Sequence, residues 1–134
     1  MAEIVKFVHH GAAQVTPRIL EGIHQKLPLL KLEFAQIHAP KFPHLVEQLE
    51  FLADVVEDFV EGADKEMPLC VVAEAAFALA YVHKQHDLIP DSNAQFGYAD
   101  DSSVTRAVLM ENEKVLAAYA KRHKLNWNKV TVKP

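Results

Sequence analysis

An all-α fold is what this sequence predicts: one compact bundle of four to five helices around a buried central helix. Three observations carry that expectation. Proline and glycine cut the chain into blocks whose apolar residues recur at helical rather than alternating spacing. One block, Leu69 to Val82, is apolar on nearly every side and interrupted only by Glu74, as in a helix surrounded by others. The chain has 134 residues, 50% hydrophobic and 24% charged, which suits a single domain over 1–134 with one sizeable core.

The elements follow in order. Residues 3–14 form a short helix that ends before Thr16-Pro17. Thr16 is a good N-cap and Pro17 a good first helical residue, so a second helix opens there and runs to about Lys26. Pro28 either kinks this helix or starts the next piece, which reaches about His38. Ala39-Pro40-Lys41-Phe42-Pro43 reads as loop. From Pro43 to Val60, Leu45, Leu49, Leu52, Val56, Phe59 and Val60 share one face, with Glu47, Glu50, Asp54, Glu57, Asp58 and Glu61 opposite. Gly62 stops that helix. Asp64 is expected to cap the central helix, which passes through Pro68 to about Lys84; Asp101 or Ser102 caps a last helix to about His123. Residues 126–134 read as a loose or extended tail, with Lys129-Val130-Thr131-Val132 as a short strand at most.

Charge and composition narrow the function classes. All 18 acidic residues lie at or before Glu113, whereas six of the 14 Lys and Arg residues follow it. An acidic body would repel phosphate over most of its surface, which argues against nucleic-acid binding. The basic tail is expected to meet the acidic stripe of 47–61, in the same chain or across a homodimer. A dimer gains support from Phe51, Leu109 and Leu116, which fall outside the main apolar stripes and need cover. Leu69–Val82 is too short to span a bilayer, no secretory signal is visible, and the single Cys70 fits a reducing compartment; a cytoplasmic protein is the expectation. Lying in the apolar run, Cys70 reads as a buried, inert thiol.

The sharpest change in character comes after the central helix. Tyr81 is followed by Asp87-Leu88-Ile89-Pro90-Asp91, and then by Gly97-Tyr98 and Asp100-Asp101. These two half-motifs, in this order and separation, resemble the signature of the YkvA-like family, a small helical domain of unknown function. The likeness covers about residues 45–122. It implies a buried helix leading into the Asp-Leu-Ile-Pro-Asp corner and a second helix beginning at the Asp pair. It implies no reaction. The stretch between the half-motifs, Ser92-Asn93-Ala94-Gln95-Phe96, is more polar here than the apolar segment usual in the family, which counts against membrane association.

Several constellations bear on chemistry. Asp87, Asp91, Asp100 and Asp101, with His83 and His86 nearby, offer hard oxygen ligands for a divalent metal. The same aspartates are also natural caps and turn formers around Pro90 and Gly97, and that architectural role is the favoured reading. Glu74 in its apolar run requires a partner or a raised pKa. Glu111 is expected on the apolar face of the last helix. Glu21-Gly22-Ile23-His24 supplies one E-x-x-H pair where a di-metal bundle site needs two. No cofactor is called for, and no catalytic residue stands out. The leading function is a non-enzymatic interaction or scaffold module that meets a protein partner at the acidic corner 87–101, with Phe96 and Tyr98 as exposed anchors. A metal-dependent hydrolase using the four aspartates is the alternative, and a peripheral membrane protein the third.

Overall fold

A computed structural model describes residues 2–88, 94–131 and Lys133. Among these residues it is all-helical, six helices packed as a bundle: α1 (Ala2–Ala12), α2 (Pro17–Ala35), α3 (Leu45–Val60), α4 (Leu69–Leu88), α5 (Ala94–Glu111) and α6 (Glu113–Arg122). The expected central helix is α4. It packs against α1, α2, α3 and α5, and buries Val71, Val72, Ala75, Ala76, Ala78, Leu79 and Val82. Its alanines let neighbours approach closely, and α1 answers with Gly11. A β-carbon there would lie 2.1 Å from the Phe77 ring, so only glycine fits this crossing.

Local chemistry explains the helix ends. Thr16 Oγ1 accepts the Ile19 N–H at 3.2 Å and Pro17 opens α2, as expected. Pro28 neither ends nor restarts that helix, which continues to Ala35. Its ring lies on the exposed side, while Leu20, Ile23, Leu27, Leu30 and Phe34 hold the other side in the core. Gly62 stops α3 at φ +79°; its N–H bonds the Phe59 carbonyl and the Ala63 N–H reaches back to Asp58. The same closure recurs after α6, where Leu125 N–H bonds the Ala120 carbonyl. There the left-handed residue is Lys124, at φ 58°.

Three expectations about elements are corrected. The last helix does not begin at Asp101 or Ser102; α5 begins at Ala94, and both residues are buried within it. Nor does it run unbroken. Asn112 separates α5 from α6, its amide donating to the Val108 carbonyl at 2.8 Å and to Glu74 at 3.2 Å, a local alternative to the helical ladder. Asp64 does not cap α4 but ties down the preceding turn, accepting the N–H groups of Glu66 and Met67 at 2.9 and 3.0 Å.

The tail is packed, not loose. Trp127–Lys129 form a short 3-10 helix, Val130 is buried, and the Trp127 ring meets Phe51 edge-on at 5.5 Å. Phe51, Leu109 and Leu116, expected to need a second subunit, are covered by the chain itself. Tyr119 and Trp127 both stand against Phe51.

Candidate functional site

The corner between α1 and α2 leaves a hollow because its residues are small. Ala12, Ala13 and Ala73 do not fill the space between α1 and the first turns of α4. Leu69, the first residue of α4, follows Pro68 out of the turn and stays 59% exposed. Two concavities result, of about 300 and 430 Å³, which share Val15, Leu69 and Ala73 and so form one groove with two lobes. The smaller lobe continues over Pro17, Leu20, Phe59 and Val60, with Glu21 in its lining.

The larger lobe carries the polar groups. His9, Cys70 and Glu74 line it together. Cys70 is exposed, which corrects the expectation of a buried thiol: it occupies the first turn of α4, before that helix enters the core. Glu74 is only 8% exposed, and its Oε1 accepts the Asn112 amide. Burial pushes the Glu74 carboxyl above its usual range; Asn112 and the charge of His9 offset this in part, and Glu111 adds to it. Glu74 thus has both the partner and the raised pKa that its sequence position required. Glu111 itself is exposed, not aimed into the core, because the break at Asn112 ends its helix there. The groove can seat apolar groups along its length and offer hydrogen bonds at one end.

A second polar cluster joins α3, the 61–68 turn and α6. Asp64 accepts Arg122 Nε at 3.1 Å, Arg122 Nη2 at 2.9 Å and His123 Nε2 at 2.7 Å. Burial opposes ionisation of Asp64, but the His123 and Arg122 bonds and the Glu66 N–H outweigh it and hold its pKa below the usual range. The Tyr119 hydroxyl donates to Asp58, and its pKa is raised by burial and by that carboxylate. Every group here is engaged by another part of the chain, so the cluster is a clamp that locks α6 onto the body. The acidic stripe of α3 is met from the other side by α2, through Lys31 to Glu57 and Asp54 at 3.0 and 3.6 Å and His24 to Glu61 at 2.9 Å.

The acidic corner is only partly within the described residues. Ile89, Pro90 and Asp91 lie outside them, as do the side chains of Asp87, Leu88 and Phe96; Gly97 falls within α5. Tyr81 is half-buried beside Phe77 and Phe7, and His83 pairs with Glu33 at 2.8 Å. Tyr98 is buried and lines a small hollow together with residues 39–42, which corrects its expected role as an exposed anchor. Asp100 is exposed. Asp101 is 2% exposed, and burial, with the Asp100 charge, pushes its carboxyl up to about 7. Its Oδ1, like the neighbouring Ser102 Oγ, has no hydrogen-bond partner among the described residues. No group of three or more His, Cys, Asp or Glu side chains among the described residues is placed to hold a metal ion.

No family model, curated protein or solved structure matches this chain. The groove was not foreseen from the sequence. Its one sequence signal is that Leu69 and Cys70 directly follow Pro68, which puts them in a first helical turn where side chains can still face solvent.

Proposed function

We propose that the chain is a non-enzymatic interaction module whose contact surface is the two-lobed groove over Val15, Leu69 and Ala73. The occupant is an amphipathic helix of a partner protein that places one apolar side chain in each lobe. The observation that carries this reading is the pairing of two adjoining hollows with the exposed Leu69 between them, the geometry that helix-in-groove recognition uses. Glu21 in one lobe and His9 and Glu74 in the other supply polar contacts. A cytoplasmic setting belongs to the same proposal, since an exposed thiol suits a reducing compartment. Among the described residues no helix is long and apolar enough to cross a membrane. Membership of the YkvA-like family is likewise proposed, supported by the buried helix α4, which carries Tyr81 and runs into the Asp87-Leu88 corner; α5, which opens at Ala94 before the Asp100-Asp101 pair, departs from the family pattern.

Selection of a displayed library of helical peptides on the full-length protein tests the groove. The enriched peptides should carry two apolar residues on one helical face, and both Leu69→Asp and Ala73→Arg should abolish their binding. Peptides without that spacing, or indifferent to both substitutions, would overturn the proposal.

A second reading, a divalent-cation site at the acidic corner serving a hydrolase, is favoured by one observation: the buried Asp101 oxygen, which has no hydrogen-bond partner among the described residues. Mg²⁺, Mn²⁺ or Ca²⁺ would then raise the melting temperature with concentration, because a ligand of the folded state stabilises it. The shift should vanish in Asp100→Asn with Asp101→Asn. A melting temperature indifferent to all three metals removes the reading.

A further inference from the structure

The C-terminal segment sits on α3 in the manner of a bound peptide. Gln48, 1% exposed, donates its amide to two backbone carbonyls of this segment, those of Thr131 and Lys133, the latter at 3.3 Å. A buried side chain that binds main-chain carbonyls holds a peptide without reading its sequence; specificity then comes from side-chain pockets. Val130 fills one such position, and Trp127 stands edge-on to Phe51. Charge supplies the rest. Glu47, Glu50 and Asp54 line a cleft of about 260 Å³ beside Lys129. Burial raises the Asp54 pKa, and although Lys31 opposes this, Glu57 and Asp58 raise it further, so this face carries a crowded negative charge. The cleft also shows that the tail leaves room beside it. Its junction with α6 turns at Lys124, which holds the left-handed conformation that closes the helix.

We propose that this face of α3 is a binding site for an extended, basic peptide of another protein, with an aromatic and a β-branched residue at the spacing of Trp127 and Val130, and that the chain's own tail fills it as an intramolecular competitor. A tethered competitor acts at high effective concentration, so a foreign peptide gains access only when the tail is weakened or displaced.

The test uses the full-length chain and a fluorescent peptide with the sequence of residues 125–134. Trp127→Ala with Val130→Asp removes the tail's own anchors and leaves the α3 face intact. The peptide should bind this variant at least about 10-fold more tightly than the unsubstituted chain. Adding Gln48→Ala should cancel that gain, and added salt should weaken the binding. If the double variant fails to fold, Val130→Ala alone provides the comparison, with an expected gain of about fivefold. Equal affinity for the unsubstituted and tail-weakened chains, or a gain that survives Gln48→Ala, overturns the proposal. A concentration-dependent dimer of the tail-weakened chain also overturns it, since a second copy would then be the occupant.

Discussion

Two residues hold conformations or charges that a simple substitution should relieve. Lys124 closes α6 in the left-handed region, φ 58°, where a β-carbon is strained and glycine is not. Lys124→Gly should therefore raise stability by about 0.5–1 kcal/mol, read as a higher urea midpoint. Asp101 is buried with no counter-charge among the described residues, and its folded pKa of about 7 stands above its unencumbered value of 3.8. Between those values the folded state keeps a proton that the unfolded state has lost. The stability tied to this group is thus fully present below pH 3.8 and is lost as pH rises through about 7, at up to ~1.4 kcal/mol per pH unit. Asp101→Asn should flatten that slope and leave the variant more stable than the unsubstituted protein above pH 7, with the difference closing toward pH 4. Urea midpoints across this range check it; parallel profiles for the two proteins would refute the buried charge. The sequence marked Asp101 as important but cast it as a cap, because an Asp-Asp-Ser-Ser run reads as a helix start when burial is unknown.

At the scale of elements, the bundle depends on one close crossing and one clamp. Gly11→Ala drives a methyl group into Phe77 and should cost about 1–3 kcal/mol through displaced packing between α1 and α4. Asp64→Ala removes the acceptor for two N–H groups, Arg122 and His123 at once, with an expected loss of about 2–4 kcal/mol. Glu66→Ala, which removes only an exposed partner of Arg122, should change stability by less than about 0.5 kcal/mol. Denaturant melts of the three variants rank these contacts, and equal effects of Asp64→Ala and Glu66→Ala would contradict the clamp. The helices themselves were largely legible, because 3.6-residue apolar spacing, Thr16-Pro17 and Gly62 are local signals. What escaped was non-local. The break at Asn112 depends on a glutamate 38 positions away, and Gln48 reads as a surface residue until the tail that it binds is in place.

At the scale of the whole molecule, ion pairs join distant parts of one chain: Arg122 and His123 pair with Asp64, and Lys31 and His24 pair with the α3 stripe. The apolar side chains that had argued for a dimer are covered as well. Sedimentation should accordingly give a monomer mass at both low and high salt; a dimer that dissociates in salt would restore the charge-linked association. The groove stays open around Leu69, and the sequence concealed it because a cysteine in an apolar run looks buried when only its neighbours in the chain are considered. Cys70 is also the chain's single thiol, so its reactivity reports directly on that surface. The decisive measurement is the rate at which a chromogenic aromatic disulfide reacts with Cys70 in the native full-length protein, compared with the unfolded protein. An open groove predicts complete labelling under native conditions, at a rate independent of protein concentration and within about 10-fold of that in denaturant. A thiol that reacts only after unfolding, or only as dilution separates subunits, would contradict the account.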